Sequence, residues 1–259
     1  MSELCLIMFY RSYFPRNFLP TSTKILPLLK SDQETIRKVY ALLCDDESKD
    51  LFVKILKFRV TQLPVDLPND VQEQYYPGDF WELNKHETYI DVGAFDGDTL
   101  EQFLRHNNSF RRYIALEPDP ISHAKLLNKI PKAYLEKITA ICAGAGERAG
   151  TASFYSNGLE DARVVDGGSN VIRVLALDDE FILEPVTTIK MDVEGYEPFV
   201  LAGAKNIITL KKPKLAVCVY HKPWHLWELP RLIASYRNDY RFYLRHHEQE
   251  LFGTVLYAV

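Results

Sequence analysis

The sequence predicts an α/β fold, a mostly parallel sheet with helices on both faces. Three observations carry this. From Glu87 onward, short apolar runs alternate with amphipathic helical patterns, the rhythm of repeated strand–helix units. The first of these runs, "TYIDVG", ends in a glycine turn, "VGAFDGDT". The tail, "YRFYLRHHEQELFGTVLYAV", reads as two strands joined by a short polar turn, which adds an antiparallel strand to a parallel sheet.

The part before this rhythm, residues 1–85, reads as an N-terminal helical cap and linker, and residues 86–259 as the main domain. In "SDQETIRKVYALL", Ser31 and Glu34 stand at capping-box spacing, and Ile36, Val39, Tyr40 and Leu43 share one helical face. "DDESKDLFVKILKFRV" predicts a second helix with Leu51, Phe52, Ile55 and Leu56 together. "TQLPVDLPNDVQEQYYPGDF" holds three prolines and reads as a crossing loop. In the main domain, "DTLEQFLRH" predicts a helix with Leu100, Phe103 and Leu104 inward, and "RYIAL" the second strand. Asp119 is placed to cap a helix whose first residue is Pro120. "TTIKMDV" and "KLAVCVY" are later strands, with one helix from about Glu197 to Leu210 between them, and "HLWELPRLIASY" is a helix after the second.

The bulk numbers narrow the class. At 259 residues, with 47% apolar and 25% charged residues, the chain suits one large α/β domain of a globular protein. A net charge of −4 offers no basic field for nucleic acid or anionic lipid. The apolar patch Leu4–Tyr10 lacks a basic flank and a cleavage site and is too short to span a bilayer. The four cysteines form no CxxC pair; Cys142 and Cys218 sit in apolar runs and are expected to be buried. A reducing, cytoplasmic setting fits that usage.

In a doubly wound sheet, ligands bind beyond the carboxyl ends of the strands, so the loop at 93–99 is placed for a cofactor. A dinucleotide needs GxGxxG, and Gly93-Ala-Phe-Asp-Gly97 lacks it. Asp96 and Asp98 would also face the pyrophosphate, where a like-charge contact at ~4 Å costs up to roughly 4 kcal/mol at an effective dielectric of 20. S-adenosyl-L-methionine carries an ammonium and a sulfonium instead, which carboxylates on the turn attract. Glu117, at the end of the second strand, is placed to accept two ribose hydroxyls. The bland alternative is that Asp91, Asp96 and Asp98 are turn and cap residues.

"DVGAFDGDT", "ALEPDP", "TTIKMDVEGYEPFVLAGA" and "VCVYHKPWHLWELP" together resemble the FkbM family of S-adenosylmethionine-dependent methyltransferases, from about Tyr75 onward. The resemblance implies the class I methyltransferase (Rossmann-like) fold, with seven strands and the last one antiparallel. It implies O-methylation of a hydroxyl on a sugar, glycan or secondary metabolite. It places Asp91, Gly93, Ala94, Asp96, Gly97 and Thr99 at the methionine end of the cofactor. Glu117 falls on the ribose with Pro118 beside it, and Asp192 and Glu194 next to the methyl group. The family pattern carries acids where this chain has Trp224 and His225. A catalytically inactive methyltransferase-fold binding module in a carbohydrate-assembly system is the alternative, and a homo-oligomer stays open.

Methyl transfer to oxygen needs an acceptor held in line and a base for its proton. Asp192, Glu194 and His221, after neighbouring strands, are the candidates; a histidine titrates near neutral pH. The same three would suit magnesium or calcium, but no dedicated spacing supports a metal and none is expected. Trp224 and Trp227 are candidates to face a sugar ring or, alternatively, to pack at the helix start. "EQYYPGD" is expected to fold over the cofactor.

Overall fold

The computed structural model describes residues 22–61, 73–155, 163–164, 170–248 and 252–259. The patch Leu4–Tyr10, Cys5 and most of the proline-rich crossing loop lie outside them. Three helices come first: α1 (Ser22–Ser31), α2 (Gln33–Leu42) and α3 (Asp46–Thr61). The strand–helix series then runs β1 (Thr88–Val92), α4 (Asp98–His106), β2 (Arg112–Leu116), α5 (Pro120–Lys129), β3 (Ile138–Ile141). A small second sheet uses β4 (Gly144–Ala145), β5 (Gly150–Tyr155), β6 (Arg163–Val164) and β7 (Asn170–Leu175). After α6 (Leu177–Phe181) come β8 (Thr188–Met191), α7 (Glu197–Gly203), α8 (Lys205–Lys211), β9 (Lys214–Cys218), α9 (His225–Tyr236), β10 (Phe242–His246) and β11 (Thr254–Ala258).

The main sheet has the order β10-β11-β9-β8-β1-β2-β3. β1 pairs in parallel with β2 and β8, β2 with β3 and β8 with β9, while β11 is antiparallel to both β9 and β10. This is the seven-stranded arrangement the sequence predicts. Its order reverses between β1 and β8, the switch point at which such sheets bind ligands. The register aligns Val92 with Leu116 and with Met191, and Met191 with Val217. The loops that follow β2, β1, β8 and β9 therefore open along one edge.

Side chains alternate across the central strand as the pleat requires. Ile90 and Val92 join one apolar cluster with α2, α3, α7, α8 and α9. Tyr89 joins a second, aromatic one, stacked on Tyr113 at 5.1 Å and tilted against Phe103 at 5.0 Å. The N-terminal helices share the first core: Val39, Leu43, Leu51, Phe52 and Ile55 are buried in it. Leu43 bridges Phe242, and the Ser48 hydroxyl accepts the amide of Leu244 at 2.8 Å. Arg245, buried on β10, reaches Asp45 at 2.7 Å and Asp79 at 2.5 Å, with its guanidinium over the rings of Phe80 and Tyr243.

Several expectations need correction. The capping box does not form, because Ser31 closes α1 and its hydroxyl bonds Leu28 O and Asp32. The single helix after Glu197 is two, broken at Ala204. There the backbone of Gly146 passes so close to Gly203 that a Cβ would lie 2.0 Å from its carbonyl oxygen. Cys142 is exposed, since β3 ends one residue earlier and the chain turns outward; Cys218 is buried as expected. The Asp119 cap is present, accepting from Ser122 N at 2.9 Å.

Candidate active site

The turn after β1 is built by three residues of left-handed φ: Gly93, Phe95 and Gly97. Its glycines serve the protein's own packing. A Cβ on Gly93 would lie 1.8 Å from the carbonyl oxygen of Asp192, and one on Gly97 would lie 2.9 Å from Leu126. The turns after β1 and β8 are thus pressed together at the switch point.

Two of the acids expected to greet the cofactor are already paired. Asp91 is wholly buried; Tyr113 donates to its Oδ2 at 2.6 Å and Lys190 Nζ lies 3.0 Å from Oδ1. Burial raises the Asp91 carboxyl above its usual range against the pull of Lys190 and Tyr113. Lys190 also donates to Gly93 O at 2.6 Å. Burial works against its charge, but Asp91 and Asp192 outweigh it and raise its pKa. Asp96 pairs with Lys129 at 3.1 Å. Ala94 and Thr99 are also buried, whereas Gly93 and Pro118 are half-buried and Asp98 is exposed on the first turn of α4. Lys190 and Lys129 were not singled out in the sequence. A lone lysine inside the apolar strand "TTIKMDV" was the signal for the first, because it stands directly opposite Asp91 in the register.

Glu117 lies beside the turn after β1. It follows β2, is 6% exposed, and receives Phe95 N and Asp119 N at 2.8 Å, one on each oxygen. Burial pushes its carboxyl up to about 7, against the two amide bonds. Beyond it opens a cleft of about 630 Å³, lined among the described residues by Pro118, Ile121 and Cys142 on one side and by Phe154, Ile172 and Arg173 on the other. Asp119, Asn170 and Arg173 add polar groups to this lining, and Glu117 stands next to it in the chain; a mixed cleft of this kind suits a flat ring with polar edges.

The second group gathers after β8 and β9. Asp192 receives the hydroxyls of Tyr75 on Oδ2 and Tyr220 on Oδ1, both at 2.8 Å. His221 Nε2 lies 3.4 Å from both Asp192 Oδ1 and Glu194 Oε1. On the other side of the ring, Nδ1 is 2.8 Å from Glu197 Oε1. Burial would lower the His221 pKa, but Glu197, Glu194 and Asp192 outweigh it and raise it well above the usual histidine value. So the structure brings Asp192, Glu194 and His221 together, as their positions after neighbouring strands predict. It adds Tyr75, from the segment expected to fold over the cofactor, and Tyr220 and Glu197, which the sequence marks only as a strand end and a helix start.

The donor atoms of Asp192, Glu197 and His221 lie within 4.8 Å of one another, and both His221 nitrogens and Glu197 Oε2 are buried without a hydrogen bond among the described residues. Both Asp192 oxygens accept tyrosine hydroxyls, and both imidazole nitrogens face carboxylates. A second acidic group, Asp45, Glu47 and Asp79, surrounds the Arg245 guanidinium.

Trp227 does not face the site: it is wholly buried and donates to Asp32 at 2.9 Å, so the core, not a ligand, holds its ring. Trp224 is half-buried and edge-on to His225. The "EQYYPGD" segment lies over the sheet's second face. Tyr76 stacks on His106 at 4.5 Å, and Tyr75 holds a left-handed φ of 68° while its amide donates to Tyr257 Oη at 3.0 Å. Arg59, from α3, donates to the carbonyl of Pro223 and ties the N-terminal helices to the loop carrying His221. Among the described residues no helix is long and apolar enough to cross a membrane.

Comparison with known proteins places these loops in a family. A family model for the methyltransferase FkbM domain matches residues 91–250. The chain is similar to the crystal structure of methyltransferase FkbM from Methylobacillus flagellatus KT, with 28% identity and a TM-score of 0.78 over 89% of this chain and 60% of that one. This chain therefore spans 60% of that relative's length. Weaker similarity links it to Aeropyrum pernix fibrillarin in complex with natively bound S-adenosyl-L-methionine (12% identity, TM-score 0.44, 69% of each chain). It also links it to an rRNA methylase from Streptococcus thermophilus (12% identity, TM-score 0.41, 68% of this chain and 87% of that one). No curated protein sequence matches. The matched stretch begins inside β1, runs past β10 and contains every strand-end loop described above, and on that ground the chain belongs to the FkbM methyltransferase family.

Proposed function

We propose that the protein is an S-adenosyl-L-methionine-dependent O-methyltransferase acting on a hydroxyl of a sugar, glycan or secondary metabolite. The observation that carries this reading is Glu117. It is a buried carboxylate at the end of β2, anchored by two backbone amides, between the turn after β1 and a cleft of mixed apolar and polar lining. Its remaining lone pairs are placed for the ribose hydroxyls, and Ile121, Phe154 and Ile172 for the adenine face. Gly93, Asp96 and the exposed Asp98 border the methionine end. Asp91 acts from inside, holding Lys190 and through it the Gly93 carbonyl. When bound, the donor supplies an electrophilic methyl group on sulfur. The chain's own part is to hold an acceptor oxygen near the ends of β1 and β8 and to take its proton. Asp192 is fixed by Tyr75 and Tyr220, which leaves Glu194 and the neutral form of His221 for proton transfer.

A binding module without turnover is favoured by one observation: Glu197, Glu194 and Asp192 around His221 raise its pKa well above the usual histidine value, so that this candidate base already holds a proton near neutral pH. Calorimetric titration with S-adenosyl-L-methionine tests the cofactor. Release of S-adenosylhomocysteine across a panel of hydroxylated acceptors then separates the two readings. Absence of donor binding sinks both.

A further inference from the structure

Glu197 is as enclosed as Asp91, and helix initiation does not account for its surroundings. It is 0% exposed at the first position of α7. Oε1 lies 3.1 Å from Val193 N, 3.4 Å from Gly195 N and 2.8 Å from His221 Nδ1. Oε2 lies 3.2 Å from Nδ1 of His225, the first residue of α9. The loop before it curls around the carboxylate through two successive left-handed residues, Glu194 at φ 54° and Gly195 at φ 94°. That region is unfavourable for a residue other than glycine, so the loop holds a strained shape around one buried side chain. Burial would raise the Glu197 carboxyl, yet His221 and His225 outweigh it and keep it well below the usual range.

We propose that Glu197 is the positioning residue of this corner: its Oε1, 2.8 Å from Nδ1 of His221, draws the proton of the neutral ring to Nδ1, so that in this neutral form Nε2 is the nitrogen that takes the acceptor's proton beside Asp192 and Glu194. This rests on the methyl-transfer reading of the same corner. The acceptor's O–H bond breaks, the proton goes to Nε2, and the electron pair stays on the acceptor oxygen. Carboxylate-to-imidazole orientation of this kind fixes the tautomer and the ring plane. The groups facing His221 are Glu197 from α7, Asp192 and Glu194 from the turn after β8, and Tyr220, whose ring centroid is 4.1 Å away. Lys222, the next residue, lays its stem over Gly195. His225 Nδ1 faces Glu197's other oxygen.

The test is a pH titration of ring-labelled histidine by NMR, with neither donor nor acceptor present, in which His221 is assigned by its loss in His221→Gln. Neutral His221 is expected to carry its proton on Nδ1. Glu197→Gln is expected to lower the His221 midpoint by roughly one to three pH units, and Glu197→Asp to restore part of that fall. A residue that merely caps the 193–195 amides would leave midpoint and tautomer where they are, and that result overturns the proposal. If Glu197→Gln does not fold, the wild-type tautomer decides alone, a proton on Nε2 being the overturning result. Because no donor takes part, this outcome is independent of whether S-adenosyl-L-methionine binds.

Discussion

Tyr75 and Asp192 lie 117 positions apart in the chain, and the hydroxyl of one meets Oδ2 of the other at 2.8 Å. The contact joins the segment before the sheet to the turn at its switch point. Tyr75 also keeps a left-handed backbone, held by Tyr257. A hydrogen bond to a charged group is worth about 1.5–3 kcal/mol. Tyr75→Phe is therefore expected to lower turnover by roughly ten- to a hundredfold while donor affinity stays near wild type. Single-turnover measurement of S-adenosylhomocysteine, beside calorimetry, separates the two effects; an unchanged rate would remove Tyr75 from the site.

Glu117→Ala is expected to weaken S-adenosyl-L-methionine binding at least tenfold, since two charge-assisted contacts to the ribose are lost at about 1.5–3 kcal/mol each. Calorimetry reads this directly. An unchanged dissociation constant would mean that the diol lies elsewhere.

The same residue sets a pH dependence. Burial holds its carboxyl up to about 7 in the free protein, and donated hydroxyls favour the ionised form. Binding therefore releases a proton near and below neutral pH. The dissociation constant is expected to rise by up to about tenfold per pH unit below 7 and to level off above it. Titrations in buffers of different ionisation enthalpy would show the released proton near pH 6.

Lys190→Met leaves Asp91 buried without its cation. Breaking a buried pair from one side costs about 3–5 kcal/mol, so urea unfolding is expected to shift by that amount. Adding Asp91→Asn should recover part of the loss. Additive losses in the double variant would show that the two residues are not coupled.

The local pattern of the sheet was open to reading. The bounds of "DTLEQFLRH", "RYIAL" and "HLWELPRLIASY" are those of α4, β2 and α9, because each carries its own period and its own stop signal. What stayed hidden needs knowledge of which strand lies beside which. Asp91 reads as a ligand until its neighbour in the register proves to be Lys190. Glu197 reads as a helix start until β9 brings His221 beside it. The small sheet from β4 to β7 was missed because two of its strands are only two residues long and show no alternation. Cys142 was misjudged for a related reason: an apolar run says where a strand is, not at which residue it leaves the core.

The position of β11 bears on how the protein is made. Of the seven strands of the main sheet it is synthesised last, yet it lies inside, between β9 and β10. Until Thr254–Ala258 leave the ribosome, two neighbouring strand edges wait without a partner, and such edges recruit other chains. The nascent chain is most prone to stick to its neighbours just before this strand emerges, when a chaperone would have most to offer it.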